Sequence, residues 1–159
     1  LKAQNIKYEK FVTQVSNETE LILFTEEGIT NTVIENGSNF LTHTKTEFAI
    51  EYRIKLGLKT SNISYYVGED GINVVINRDS IEVSSLEVLN KNILITSGKL
   101  FGKYMTQNEK IAAEKLICDK AKEEVLKDNS NIDMAINGFS EYMNGLAKIM
   151  DVDINIIIH

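Results

Sequence analysis

From Thr46 to Leu58 the even positions read Thr, Phe, Ile, Tyr, Ile, Leu, Leu, while Glu47, Glu51, Arg53 and Lys55 occupy odd ones. Side chains on a strand point alternately to opposite faces, so this spacing predicts one packed and one solvated face. That is the mark of an antiparallel sheet; buried parallel sheets read instead as unbroken apolar runs. Upstream, residues 1–18 read as a short helix, with Ile6, Phe11, Val12 and Val15 spaced for one side and Ser16-Asn17 marking the end. Leu21 to Phe24 and Thr25 to Ile34 read as a strand that bends or turns at Gly28, then closes at Asn36-Gly37-Ser38. Downstream, Ile63, Tyr65 and Val67 lead through Gly68-Glu69-Asp70-Gly71 into Ile72, Val74 and Ile76, which predicts a hairpin with a four-residue connection. Asn77 to Ser80 turns the chain into Ile81 and Val83, and a less regular stretch follows with the short apolar piece Ile93-Leu94-Ile95.

The period then changes from two to nearly four. Thr106-Gln107-Asn108-Glu109 forms a capping box that should start a helix, with Ile111, Ile117, Cys118, Ala121 and Val125 on one side and Glu123 placed to pair with Lys127. Asp128-Asn129-Ser130 ends it. In the next helix Ile132, Ile136, Phe139, Met143, Leu146 and Met150 step by +4, +3, +4, +3, +4, a buried stripe, and Gly138 and Gly145 are expected opposite it. Asp151 closes that helix and Val152 to Ile158 reads as a last strand. The expected fold is one α+β domain over residues 1–159: a mainly antiparallel sheet with helices packed on one face, and two C-terminal helices followed by a last strand.

Composition narrows what this domain can do. Its 159 residues carry 43% apolar and 25% charged residues, the balance of a globular chain with one core. A net charge of −6 disfavours nucleic acid, since neutralising phosphates takes a clustered excess of Lys and Arg. Proline is absent where an average chain of this length has roughly eight, so turns rest on Gly, Asn, Asp and Ser. The weight of Ile, Asn and Lys is that of an AT-rich bacterial genome, in which the sequons at Asn17, Asn36 and Asn62 carry no meaning. No apolar run approaches the roughly 18 residues that span a bilayer.

Candidate chemistry is sparse. A single cysteine, Cys118, excludes an internal disulfide and cysteine-based metal clusters; it reads as core packing, with Lys115 and Lys122 allowing a thiolate alternative. His43 and His159 are far apart with no carboxylate at ligand spacing. The pairs Glu26-Glu27, Glu69-Asp70 and Glu123-Glu124 are adjacent residues, which point apart on a strand or helix and so form no catalytic dyad by themselves. Phosphate-cradling, nucleophile-elbow and zinc-helix motifs do not occur. No catalytic, cofactor-binding or metal-ligating residue is therefore assigned. The solvated face of the long strand, with Glu47, Glu51, Arg53, Lys55 and Lys59, is either a recognition surface or a field of cross-strand ion pairs.

Taken in order, several segments resemble one family: Glu20-Leu21-Ile22-Leu23-Phe24-Thr25 after the first helix, Leu56-Gly57-Leu58-Lys59-Thr60-Ser61-Asn62-Ile63, Asn108-Glu109-Lys110-Ile111-Ala112, and Val152-Asp153-Ile154-Asn155-Ile156 at the end. The chain is similar over nearly its whole length to the membrane-anchored bacterial proteins of domain-of-unknown-function (DUF) family 4230. It departs from that family at Val83 to Val88, where members often carry proline. The resemblance implies an N-terminal membrane helix ahead of Leu1 and a domain displayed at the cell membrane on its extracytoplasmic side; it carries over no functional residue. The expected role is a non-catalytic domain acting through contacts with another cell-envelope protein. The alternative is a small-molecule or lipid binder with a pocket between the sheet and the last helix, lined by Phe139, Met143 and Tyr142.

Overall fold

The computed structural model describes residues 2–36, 44–98 and 107–159. Along the chain they form α1 (Lys2–Ser16), β1 (Glu20–Asn36), β2 (Thr44–Lys59), β3 (Ser64–Gly68), β4 (Gly71–Ile76), β5 (Glu82–Gly98), α2 (Gln107–Lys127), α3 (Asn129–Ile149) and β6 (Ile154–Ile158). The class is α+β, with two C-terminal helices leading into a strand. The strands divide into two sheets: antiparallel β1-β2-β5 with β2 central, and β3-β4-β6 with β4 central. In the second, β3 is antiparallel to β4, while β6 runs parallel to it, from Ile72 opposite Ile154 to Ile76 opposite Ile158.

The chain forms two compact units. The first contains Leu1–Thr25, Lys55–Ser84 and Asp128–His159; the second contains Glu26–Ile54 and Ser85–Lys127. In the first, Tyr8, Phe11 and Val15 of α1 join Leu21, Leu58, Ile63, the β4 residues Ile72, Val74 and Ile76, and Phe139, Met143 and Ala147 of α3 in one buried cluster. A helix turns about 100° per residue, which places Ile6 on the far side of α1 from Phe11 and Val15. It is accordingly exposed, and Tyr8 takes the expected inner position.

The second unit buries Phe48, Ile50, Tyr52 and Ile54 of β2 with Ala113, Ile117, Ala121 and Val125 of α2. Every even side chain from Thr46 to Leu58 is buried, as the alternation requires. Along α2 the buried face is centred near Ile117 and Ala121; Ile111 lies off that centre and is exposed, and Cys118 is half-buried. Lys120 Nζ donates to the Asn31 carbonyl oxygen at 2.9 Å, and Lys91 meets Glu114 at 2.9 Å.

Several local expectations change. Gly28 does not interrupt β1, which is continuous; a Cβ there would stand 2.6 Å from Tyr52 Oη, so the glycine makes room for a tyrosine crossing the strand. The β3–β4 connection holds only Glu69 and Asp70, because Gly68 and Gly71 pair across it, and Gly71 adopts φ 135°. The stretch around Ile93 is not irregular: β5 runs unbroken to Gly98, its pairing with β2 outweighing a weak alternation. Within α3, Ile132, Phe139 and Met143 are buried as expected and Ala135 and Ala147 fill the flanks, whereas Ile136, Leu146 and Met150 are only partly buried. Gly138 lies on the flank of that stripe, not opposite it, and packs against the Leu23 carbonyl of β1; Gly145 faces open space. Asp128 caps α3 by accepting from the Ser130 amide at 2.9 Å. The Glu123–Lys127 pair forms at 2.5 Å; Thr106 of the expected capping box and Gly37-Ser38 of the expected turn lie outside the described residues.

Candidate binding groove

In the first unit, α1 and the β3–β4 hairpin leave a groove of about 400 Å³ between them. Tyr8, Glu9, Val12 and Thr13 form its helical wall; Tyr65, Val67 and Ile72 come from the hairpin, whose register sets Tyr65 against Val74 and Val67 against Ile72 on the core-facing side. The helical wall comes from the middle of α1, beside Phe11 and Val15, which turn into the buried cluster. Val67, 70% exposed, and its neighbour Tyr66, 61% exposed, stand at the mouth.

Two phenols make the lining amphipathic. Tyr8 is buried and its hydroxyl oxygen accepts from Gln4 Nε2 at 2.7 Å. The Tyr65 hydroxyl is enclosed and has no hydrogen-bond partner among the described residues. Burial pushes the Tyr65 pKa up to about 12, with Tyr142 of α3 adding to the shift. Glu9 supplies the one charged side chain of the lining. Nothing in the sequence pattern announced this groove, because its residues come from a helix and a hairpin some fifty positions apart and each fits an ordinary amphipathic element.

The residues singled out from the sequence are not brought together. Phe139 and Met143 are fully buried in the cluster and do not line the groove at α1, and Tyr142 is partly exposed. Burial raises the Cys118 pKa, with Glu114 adding to the rise and Lys122 opposing it, so the environment disfavours a thiolate. His159 directly follows β6, its amide donating to the Ile76 carbonyl at 2.9 Å, and His43 lies outside the described residues. Glu26 and Glu27 do point apart: Glu27 accepts from Arg53 at 2.7 Å, while one Glu26 oxygen is enclosed with no partner among the described residues, and burial, then Glu26 and Glu124, raises the pKa of Tyr52. Among the described residues no group of His, Cys, Asp and Glu could hold a metal ion. On the solvated face of β2, Arg53 reaches Glu27 on β1 and, at 3.4 Å, Glu87 on β5.

No family model matches the chain, and no curated protein and no solved structure matches it either. Among the described residues no helix is long and apolar enough to cross a membrane.

Proposed function

We propose that this chain is a non-catalytic contact domain of a bacterial envelope protein, displayed on the extracytoplasmic side of the cell membrane, and that it holds its partner in the groove between α1 and the β3–β4 hairpin. The observation that carries the reading is the pairing of a half-open apolar groove with two exposed large side chains, Tyr66 and Val67, at its mouth. Tyrosines supply large contact area at low conformational cost and are enriched at interface hot spots. The occupant is a segment of another envelope protein with an apolar side chain to enter between Tyr8 and Tyr65 and a Lys or Arg to meet Glu9. Support for the location comes from the resemblance of the segments Glu20–Thr25, Leu56–Ile63 and Val152–Ile156 to a membrane-anchored family.

A photoreactive residue placed at Val67 tests this, with the same residue at Ile149, 83% exposed on α3, as control. A discrete protein adduct from position 67, absent from position 149, is the expected result. Equal labelling from both sites would remove the reading. A second reading, a small-molecule or lipid binder, is favoured by the groove's volume, which falls in the usual range for ligand sites of about 300–1,000 Å³. It predicts instead a lipid or small-molecule adduct at position 67 and a retained ligand mass in the native protein.

A further inference from the structure

We propose that two copies of this chain join through β6, edge to edge and antiparallel, so that the two β3-β4-β6 sheets become one six-stranded sheet with Ile156 on the two-fold axis. β6 is an edge strand: among the described residues it pairs only with β4. Which of its backbone groups remain free follows from the bonds to β4. The Asp153 carbonyl accepts from the Ile72 amide at 2.9 Å, the His159 amide donates to Ile76, and the His159 carbonyl accepts from the Arg78 amide at 2.8 Å. Odd residues of β6 thus face β4, and the alternation of a strand turns the N–H and C=O groups of Ile154, Ile156 and Ile158 outward.

Folded proteins protect such an edge with a charge, a proline or a bulge within the strand, because a bare one recruits other strands. β6, Ile154-Asn155-Ile156-Ile157-Ile158, has none of these. The strand also reads nearly the same in both directions, which suits a two-fold axis. Centred on Ile156, antiparallel pairing sets Ile154 opposite the partner's Ile158 and Ile156 opposite its own equivalent, so all three outward residues of each copy meet outward residues of the other. Such directly opposed residues exchange both backbone hydrogen bonds.

The same register identifies the occupant as a second copy. Beyond the strand ends it places Asp153 of one copy opposite His159 of the other, twice, at positions where opposed side chains approach most closely. Both side chains are exposed. A carboxylate facing an imidazole at each end is complementary to itself under a two-fold axis, and an unrelated strand would have no reason to match it. The joined edge is distinct from the groove at α1, so the two contacts are separable.

Sedimentation equilibrium of the whole chain tests the register, with Asp153→Lys, His159→Glu and the double variant. A dimer is expected; each single exchange should weaken it by about three- to tenfold in Kd, since Lys then faces His or Glu faces Asp, and the double exchange should restore it. Ile156→Pro removes an outward N–H without touching the bonds to β4 and should give a folded monomer. Should that variant fail to fold, the charge exchange on exposed side chains still decides. A chain that stays monomeric at high micromolar concentration, a dimer indifferent to all four variants, or growth into open-ended assemblies would each overturn the proposal.

Discussion

Replacing Gly138 by alanine should destabilise the protein, although alanine is the better helix former. Inside a helix the exchange from glycine to alanine is worth about 1 kcal/mol in favour of folding. At position 138 the new Cβ would fall on the carbonyl oxygen of Leu23, 3.1 Å from the carbonyl carbon and 3.5 Å from its Cα. These are backbone atoms of β1, so no rotamer can relieve the contact; strand and helix must part, and overpacking of this kind costs about 1–3 kcal/mol, occasionally more. Backbone contacts this short put the cost in the upper part of that range, above the propensity gain, leaving a net loss of up to about 2 kcal/mol. Gly145, seven residues on in the same helix, has nothing within 4 Å of its would-be Cβ. There the propensity term acts alone, and Gly145→Ala should gain about 0.5–1 kcal/mol. Urea unfolding followed by circular dichroism and by tyrosine fluorescence measures both, and agreement of the two probes checks two-state behaviour. For a chain of this size, each kcal/mol moves Tm by about 2–4 °C. The reasoning is refuted if Gly138→Ala is as stable as Gly145→Ala, because then α3 does not press on β1 at that point.

Tyr65 titrates near pH 12 in the fold and near 10 when unfolded, so the neutral phenol stabilises fully below pH 10 and that contribution disappears as the pH climbs from 10 to 12; a spectrophotometric tyrosine titration should show one phenol ionising last, missing in Tyr65→Phe. The same variant removes an enclosed, unpartnered hydroxyl and should leave stability unchanged or raise it by about 1 kcal/mol. Cys118, its thiol pushed up by burial, should react with a disulfide reagent at pH 8 more slowly in the native protein than in urea, and a native rate equal to the unfolded one would contradict that packing.

How far the sequence speaks is visible in particular residues. The alternation from Thr46 to Leu58 determined which side of β2 is buried, because a period of two leaves no other assignment. The +4, +3 stripe determined the inner line of α3 through Ile132, Phe139 and Met143, and the Asp128-Asn129-Ser130 triplet determined where α2 gives way to it. These are local facts: they need only the geometry of one element and the preference of apolar side chains to leave water.

Other features depend on which elements meet. β6 reads as any short apolar strand; that it runs parallel to β4, with β5, α2 and α3 between them in the chain, was decided by tertiary packing. Its second edge, unpaired among the described residues, follows from that choice. Gly28 and Gly138 look like a bend and a tolerated surface residue until Tyr52 and the Leu23 carbonyl arrive against them from other elements. The groove at Tyr8 and Tyr65 arises where α1 and the β3–β4 hairpin, far apart in the chain, are brought side by side. Periodicity fixes a face, but a neighbour's identity is a long-range contact, and one chain's order of residues encodes it only through the energy of the whole packed state.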